Sequence, residues 1–399
     1  MSKLAINGGT PVRKDRISYG RQWIDENDVK TVCETLQSNY LTCGPKTVEA
    51  EKDLAKYCGA KYAILLNSDT SALHCACLAA GVGPGDEVIT TPITFAASAN
   101  CALYCGAKPV FADINPKTYN IDPAKIEEKI TKKTKAVVAV DYTGQVVEMD
   151  KIRAICDKYN LTLIEDAAHS IGSNYKGKKV GNLAADMTCF SFHPVKTITS
   201  CEGGAILTNN KELYKKALLA HAHGITHDTN DLCKEHRDEP WYYEMQALGY
   251  NYRITDVQAA LLMSQLDKLD MFAKRRKEIV EKYNAAFKAI PELTLQQVIP
   301  ESDTVRHLYI LQLNLEKLNC DRLQFFNAMI AEGIGCQVHY IPVYWFPYYA
   351  KLGYKKGLCP NAEKLYERII SIPLYPKMAD KDVDDVIKAV KKVINHYKK

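Results

Sequence analysis

The sequence has no apolar run approaching about 18 residues, so it offers no membrane-spanning helix and no membrane partner is expected. Its opening stretch, "MSKLAINGGTPVRKDRISYG", lacks the apolar centre of a signal peptide, and the expected compartment is the cytoplasm. No CxxC pair occurs among the 14 cysteines, which are dispersed along 399 residues and not concentrated as in a small disulfide framework. A metal site on His74, Cys75 and Cys77 competes with buried free thiols in a helix of small apolar residues, and no metal is expected. Neither charge dominates: 52 basic and 47 acidic residues are interspersed and leave a net +5, which disfavours nucleic acid as a partner. Internal repeats and low-complexity linkers are also missing from the sequence.

What remains is an ordinary globular composition, 47% hydrophobic and 25% charged, in a chain long enough for a large core and two or three domains. From about residue 60, short apolar runs alternate with helical patterns. "YAILLN" (62–67), "DEVITT" (86–91), "KPVFADI" (108–114), "KAVVAVDYTG" and "LTLIEDAAH" predict strands, with helices such as "SALHCACLAAG" and "VEMDKIRAICDKYN" between them. That alternation argues for βαβ units and a mostly parallel sheet. The strands lack polar alternation, as expected when both faces are covered. Beyond Gly249 the texture changes: residues 254–287 predict a long helical stretch broken near Met271, and a smaller α+β portion follows. The final helical pattern puts Val383, Val386, Ile387, Val390 and Ile394 on one face, which predicts a helix docked on that portion and not one lying on a membrane.

Three stretches carry chemistry. In "LLNSDTSALH" a strand runs through Ser68, Asp69, Thr70 and Ser71 into a helix. Hydroxyls there cap free N–H groups, and the same groups with the helix dipole can hold a phosphate; taken alone, these residues favour capping without a ligand. "TLIEDAAHS" ends a strand with Glu165 and Asp166, followed by His169. Acids at the carboxyl ends of parallel strands fall where open α/β sheets bind ligands, and only one of an adjacent pair can face a given side. An aspartate at position 166 could keep the ring nitrogen of pyridoxal phosphate protonated, or it could cap the next helix. "SFHPVKTITSCEGGAIL" places Lys196 among Ser191, Thr197, Thr199, Gly203 and Gly204. A lysine that forms a Schiff base must lose its proton near neutral pH, which needs partial burial or a neighbouring cation. Low charge and paired glycines suit a tight loop that presents such a side chain into a site.

With these residues in place, the chain resembles the sugar aminotransferase family typified by DegT, DnrJ, EryC1 and StrS, within the fold-type I pyridoxal phosphate enzymes. The resemblance runs from about residue 17 to 376 through "LTCGP", "TSALH", "TTPITFAASAN", "VDYTGQ", "IEDAAHSIGS", "FSFHPVKTITSCEGGAILTN", "LGYNYRITDVQAAL", "VHYIPVY" and "SIPLYP". It implies an α/β fold, a mostly parallel sheet flanked by helices, with a smaller C-terminal α+β domain. The implied division is a pyridoxal-phosphate-binding domain over 1–265 and a small domain over 266–399, with the N-terminal segment free to pack on the latter. The resemblance makes Lys196 the lysine bonded to the cofactor and Asp166 the partner of its ring nitrogen. Phe95 stacks on one ring face and His169 packs against the other. Thr70, Ser71 and Ser191 hold the phosphate, joined by Asn251 from a neighbouring subunit of a homodimer. Tyr19, His339 and Tyr340 line the sugar-nucleotide side.

Two features depart from the family pattern. Asp69 stands where the family usually has a small residue, and an acid beside a phosphate is repulsive, so its side chain is expected to point away or to be hydrogen-bonded elsewhere. The polar segment 226–247 has no assigned role; it either shapes substrate access or forms a surface loop.

The implied reaction is a two-stage transamination from glutamate to a nucleotide-linked keto sugar, with Lys196 moving the proton between carbons. Within the family the chain is similar to the aminotransferase of pseudaminic acid biosynthesis, which implies a UDP-linked 4-keto sugar aminated at C4. Other UDP-, dTDP- or GDP-linked keto sugars are the alternatives. The family's 3-dehydratase branch carries histidine in place of the lysine, so Lys196 argues against it. A regulatory protein that keeps the fold without catalysis is the rival from another class, and the Lys196/Asp166 pair argues against that reading.

Overall fold

The computed structural model describes residues 3–399. Its main sheet has seven strands: β1 (Tyr62–Leu66), β2 (Glu87–Thr90), β3 (Lys108–Phe111), β4 (Thr134–Val140), β5 (Thr162–Asp166), β6 (Met187–Ser191) and β7 (Gly204–Thr208). Their spatial order is β1-β7-β6-β5-β4-β2-β3, and β7 alone runs against the other six. The central strands show no polar alternation because both faces of the sheet are covered. Val137 and Leu163 enter one apolar cluster, while Val138 and Ile164 enter another on the opposite face.

Helix α1 (Pro45–Cys58) packs along the edge strand β1. An edge strand has N–H groups with no neighbouring strand to receive them. Glu51 of α1 meets one of these, accepting the Leu65 N–H through Oε1 at 3.0 Å. Burial pushes this carboxyl from its usual 4.5 up to about 7. The folded chain therefore holds the proton more tightly than the unfolded chain, and stability is lost as pH rises from 4.5 through about 7. Glu51→Gln keeps an acceptor for Leu65 without the charge. Because the residue retains partial exposure, the variant should gain about 2 kcal/mol relative to the parent between about pH 5 and pH 8. Urea unfolding at the two pH values checks this, and a stability difference independent of pH would contradict it.

The large layer also contains α2 (Asp69–Ala79), α3 (Ala97–Tyr104), α4 (Met149–Tyr159) and α5 (Asp256–Leu266). Helix α6 (Leu269–Phe287) begins in the core of the main sheet with Leu269 and Phe272 and ends in a second core with Ile279, Tyr283 and Phe287. The break between α5 and α6 falls at Asp267 and Lys268, ahead of the expected Met271, which lies exposed inside α6. At the break the Lys268 ammonium reaches two carboxylates distant in sequence, Asp25 at 2.9 Å and the buried Asp28 at 2.6 Å.

The second core surrounds a three-stranded antiparallel sheet of β8 (Leu293–Leu295), β9 (Tyr309–Leu313) and β10 (Ile369–Ile372). Helices α7 (Arg322–Ala331) and α8 (Asp380–Tyr397) cover it, and α8 docks through Val383, Val386, Val390 and Ile394. Leu4 and Ile17 belong to this same cluster, and the buried Glu332 accepts the N–H groups of Ala5 and Val12. Among the described residues, no helix is long and apolar enough to cross a membrane.

Candidate active site

The carboxyl ends of β1, β4, β5 and β6 and the start of the antiparallel β7 meet at one edge of the main sheet. There they bound a cavity of about 490 Å³ lined by residues that include Thr70, Asp166, Ser191 and Lys196.

The first wall is the start of α2. Ser68 is its N-cap: its hydroxyl accepts the Ser71 N–H at 3.1 Å, the usual way of satisfying a first-turn donor. Position 204 must be glycine for β7 to close on this turn, because a Cβ there would lie 2.4 Å from the Ser68 carbonyl carbon and 2.5 Å from the Asp69 nitrogen. Thr70 faces the cavity. Ser71 lies behind that surface, where its hydroxyl donates to Asn67 Oδ1 at 2.6 Å.

The expectation for Asp69 is overturned. Its side chain lines the cavity, and its Oδ1 is buried without a hydrogen-bond partner. Ser68 and not Asp69 caps the helix, so the Asp69 carboxylate is not drawn back onto the backbone.

The second wall is the end of β5. Asp166 faces the cavity, while Glu165 turns to the opposite face and accepts from Thr188 Oγ1 at 2.7 Å. Asp166 Oδ2 accepts from Ser98 Oγ at 2.6 Å, and Oδ1 accepts from the Ala168 N–H at 3.2 Å. Burial raises the Asp166 carboxyl above its ordinary value, against the pull of those two donors and of Lys196.

The third wall is the loop between β6 and β7. Ser191 ends β6, and the Lys196 N–H donates to the His193 carbonyl at 2.9 Å, which closes a tight turn. The Lys196 side chain opens onto the cavity, and no carboxylate among the described residues lies within 4.0 Å of its Nζ. Burial brings this amine down to about 8, opposed by the charges of Asp69 and Asp166. A sizeable neutral fraction is thus available near neutral pH, which a solvated lysine does not provide.

Aromatic and imidazole rings form the remaining wall. His169 accepts the Thr143 N–H on Nδ1 at 3.3 Å, and its Nε2 pairs with Tyr340 Oη at 3.2 Å. Its ring is 4.6 Å from that of His307. His339 Nδ1 pairs with Ser371 Oγ at 2.8 Å, and Tyr19 stands 5.2 Å from the His339 ring. Burial and the Lys196 charge keep all three histidines neutral, with His339 lowered to about 4. Phe95 remains 63% exposed at the cavity rim. Asn251 does not reach this cavity; it is exposed and bridges to Ala222 on the outer surface. Segment 226–247 also stays outside the lining, folding back so that Glu244–Met245 pairs with Ile225–Thr226.

The sequence reading missed His307 and Ser98. Ser98 was within reach, since it lies one helical turn from Phe95 in "TFAASAN". His307 carried no local signal. It is brought in from the second core by its N–H on the Thr143 carbonyl at 2.8 Å and by the fully buried Arg276, which donates to the carbonyls of Arg306, His307 and Leu374.

Comparison with known proteins agrees with this architecture. The model of the DegT/DnrJ/EryC1/StrS aminotransferase family matches residues 22–391. The chain belongs to this family. It is 42% identical over 96% of its length to the spore coat polysaccharide biosynthesis protein SpsC of Bacillus subtilis, covering 98% of that protein. It is 41% identical, over 96% of its length and 99% of the relative, to the UDP-4-amino-4,6-dideoxy-N-acetyl-beta-L-altrosamine transaminase of Campylobacter jejuni. Helicobacter pylori PseC, an aminotransferase involved in the biosynthesis of pseudoaminic acid, superposes with a TM-score of 0.88 at 34% identity, covering 96% of this chain and 100% of that one.

This member of the family is therefore a transaminase, and the cofactor of the family is pyridoxal phosphate. The residues present fit that group. The cavity offers a buried carboxylate at the end of β5, an unpaired lysine and the start of a helix flanked by the Thr70 and Ser191 hydroxyls. Those are the groups needed by a ring nitrogen, an aldehyde and a phosphate, respectively.

Proposed function

We propose that this aminotransferase moves the amino group of glutamate to C4 of UDP-2-acetamido-2,6-dideoxy-β-L-arabino-hexos-4-ulose, giving UDP-4-amino-4,6-dideoxy-N-acetyl-β-L-altrosamine. The observation that carries the reaction class is the meeting of Lys196 and Asp166 in one cavity. The sugar assignment is supported by the name of the Campylobacter jejuni relative and by the likeness to PseC.

When bound, pyridoxal phosphate supplies an electron sink for the negative charge left when a proton leaves the amine-bearing carbon. The rest falls to the chain. Lys196 Nζ takes that proton as a general base and returns it on the other carbon as a general acid. Asp166, oriented by Ser98 and Ala168, would hold the proton of the ring nitrogen. Thr70 and Ser191 would bind the phosphate, with Ser71 supporting the turn from behind. Phe95 and His169 would flank the ring. Tyr340, paired with His169, lines the sugar side with Tyr19 and His339. Asn251, exposed on the outer surface, is the residue through which a second copy completes the phosphate site of a homodimer.

A second reading is supported by the 42% identity to SpsC, whose name points to spore coat polysaccharide: another nucleotide-linked keto sugar is the acceptor. Purified protein with glutamate and a panel of UDP-, dTDP- and GDP-linked keto sugars separates the two. Conversion of the UDP-linked 4-keto sugar, followed by mass spectrometry of the aminated product, is the expected result. Conversion of only dTDP- or GDP-linked sugars would replace the first reading with the second.

A further inference from the structure

We propose that Asp69 is the charge partner of Lys196, a positioning residue that sets how readily this lysine gives up its proton. The inference builds on the proposed role of Lys196, although its geometry stands without that role.

Both side chains line the same cavity, and of the three carboxylates along it, Glu202 stands exposed at the mouth, which leaves Asp69 and Asp166 to balance the lysine. Asp166 is already engaged, with one oxygen held by Ser98 Oγ at 2.6 Å and the other by the Ala168 N–H at 3.2 Å. Asp69 has a buried Oδ1 with no partner at all. A buried, unpaired carboxylate oxygen is costly and draws toward it whatever proton or cation the cavity contains. Its place in the first turn of α2, fixed by the Ser68 cap and by the close approach of Gly204, prevents the side chain from escaping by a shift of the helix start.

Among the described residues, the groups that face Asp69 leave Lys196 as its only cation deep in the cavity. From β5 comes Asp166, from β6 the buried Cys189 thiol, and from the loop after β6 comes Lys196. His193 and Glu202 stand together at the mouth, 4.0 Å apart and largely exposed. His169, His307 and His339 are held neutral. Burial and the Asp166 charge raise the Asp69 carboxyl well above its ordinary value, while Lys196 opposes that rise. The charges of Asp69 and Asp166 both oppose the lowering of Lys196 by burial.

The exchange balances simply: ammonium and carboxylate become amine and carboxylic acid, with no change in the net charge of the cavity. A lysine that must alternate between base and acid thereby has a neighbour that keeps the proton within the site.

Trace acetylation of the full chain without cofactor tests the proposal, with the extent of reaction at Lys196 read by mass spectrometry across about pH 6 to pH 10. No cofactor or sugar enters the experiment, so its outcome is independent of whether the proposed function holds. The parent should show a midpoint near 8. Asp69→Asn should move that midpoint down by about one unit, making Lys196 react about fivefold faster at about pH 7. Asp69→Gly should do the same, and Asp166→Asn should shift it less. An unchanged midpoint in Asp69→Asn would overturn the proposal, as would a larger shift in Asp166→Asn. A shift in Asp69→Asn that is absent in Asp69→Gly would assign the effect to packing and also overturn it.

Discussion

Lys196→Ala is expected to lower turnover by about 10⁴-fold, at the upper end of what a positioned acid–base group contributes. On the proposed role of Lys196, two losses combine in this variant: the amine that bonds the cofactor, and the base that moves the proton. The remaining lining of the cavity does not depend on Lys196, since its loop is held by the backbone bond to His193 and by the Ser200 N–H on the Phe192 carbonyl. The variant should therefore still fold and still take up pyridoxal phosphate, with a changed visible absorbance because no covalent link forms. Lys196→Arg separates charge from proton transfer. A guanidinium keeps the positive charge but does not release its proton near neutral pH, so this variant should be about as inactive as the alanine. Turnover within about tenfold of the parent in either variant would remove Lys196 from the chemistry. The pH dependence has a definite sign: with the amine brought down to about 8, the rate of proton abstraction should climb as pH rises toward that value and then level off.

The order of elements and the acid and lysine that line the cavity at the sheet edge were readable in the sequence because both are local. Continuous apolar runs such as "KAVVAV" mark buried parallel strands, and the acid at position 166 and the lysine at position 196 sit where such strands end. Direction was less readable. "GGAIL" reads as a strand, but nothing in its periodicity says that β7 runs against its neighbours. The side chains that arrive from elsewhere were out of reach. His307 comes to the cavity from the second core through Arg276 and Thr143, contacts that span 31 and 164 positions and leave no spacing to recognise. The orientation of Asp69 depends on whether Ser68 or Asp69 caps α2, two neighbours with similar capping power. The helix break was misplaced for a related reason, since Lys268 is pulled out by Asp25 and Asp28, far away in sequence.

Asp166→Asn should lower turnover by about 10²- to 10³-fold, the usual effect of removing one preorganised electrostatic contact at a reacting centre. The substitution is close to isosteric. The amide oxygen can still accept from Ser98 or Ala168, so the loss belongs to the charge and not to the shape of the site. Stability supplies an independent signature. Burial raises the carboxyl of Asp166, so its contribution to stability is fully present at low pH and is lost as pH rises through the raised value. A neutral amide avoids that loss, and the variant without cofactor should match or exceed the parent in thermal stability at about pH 8 while being almost inactive. Ser98→Ala gives the complementary case: it keeps the carboxylate but removes the 2.6 Å bond that favours its charged form, which leaves the acid weaker and poorly aimed. Its turnover should fall by about tenfold, between the parent and Asp166→Asn. If Asp166→Asn keeps activity within about fivefold of the parent, the buried acid at the end of β5 is structural.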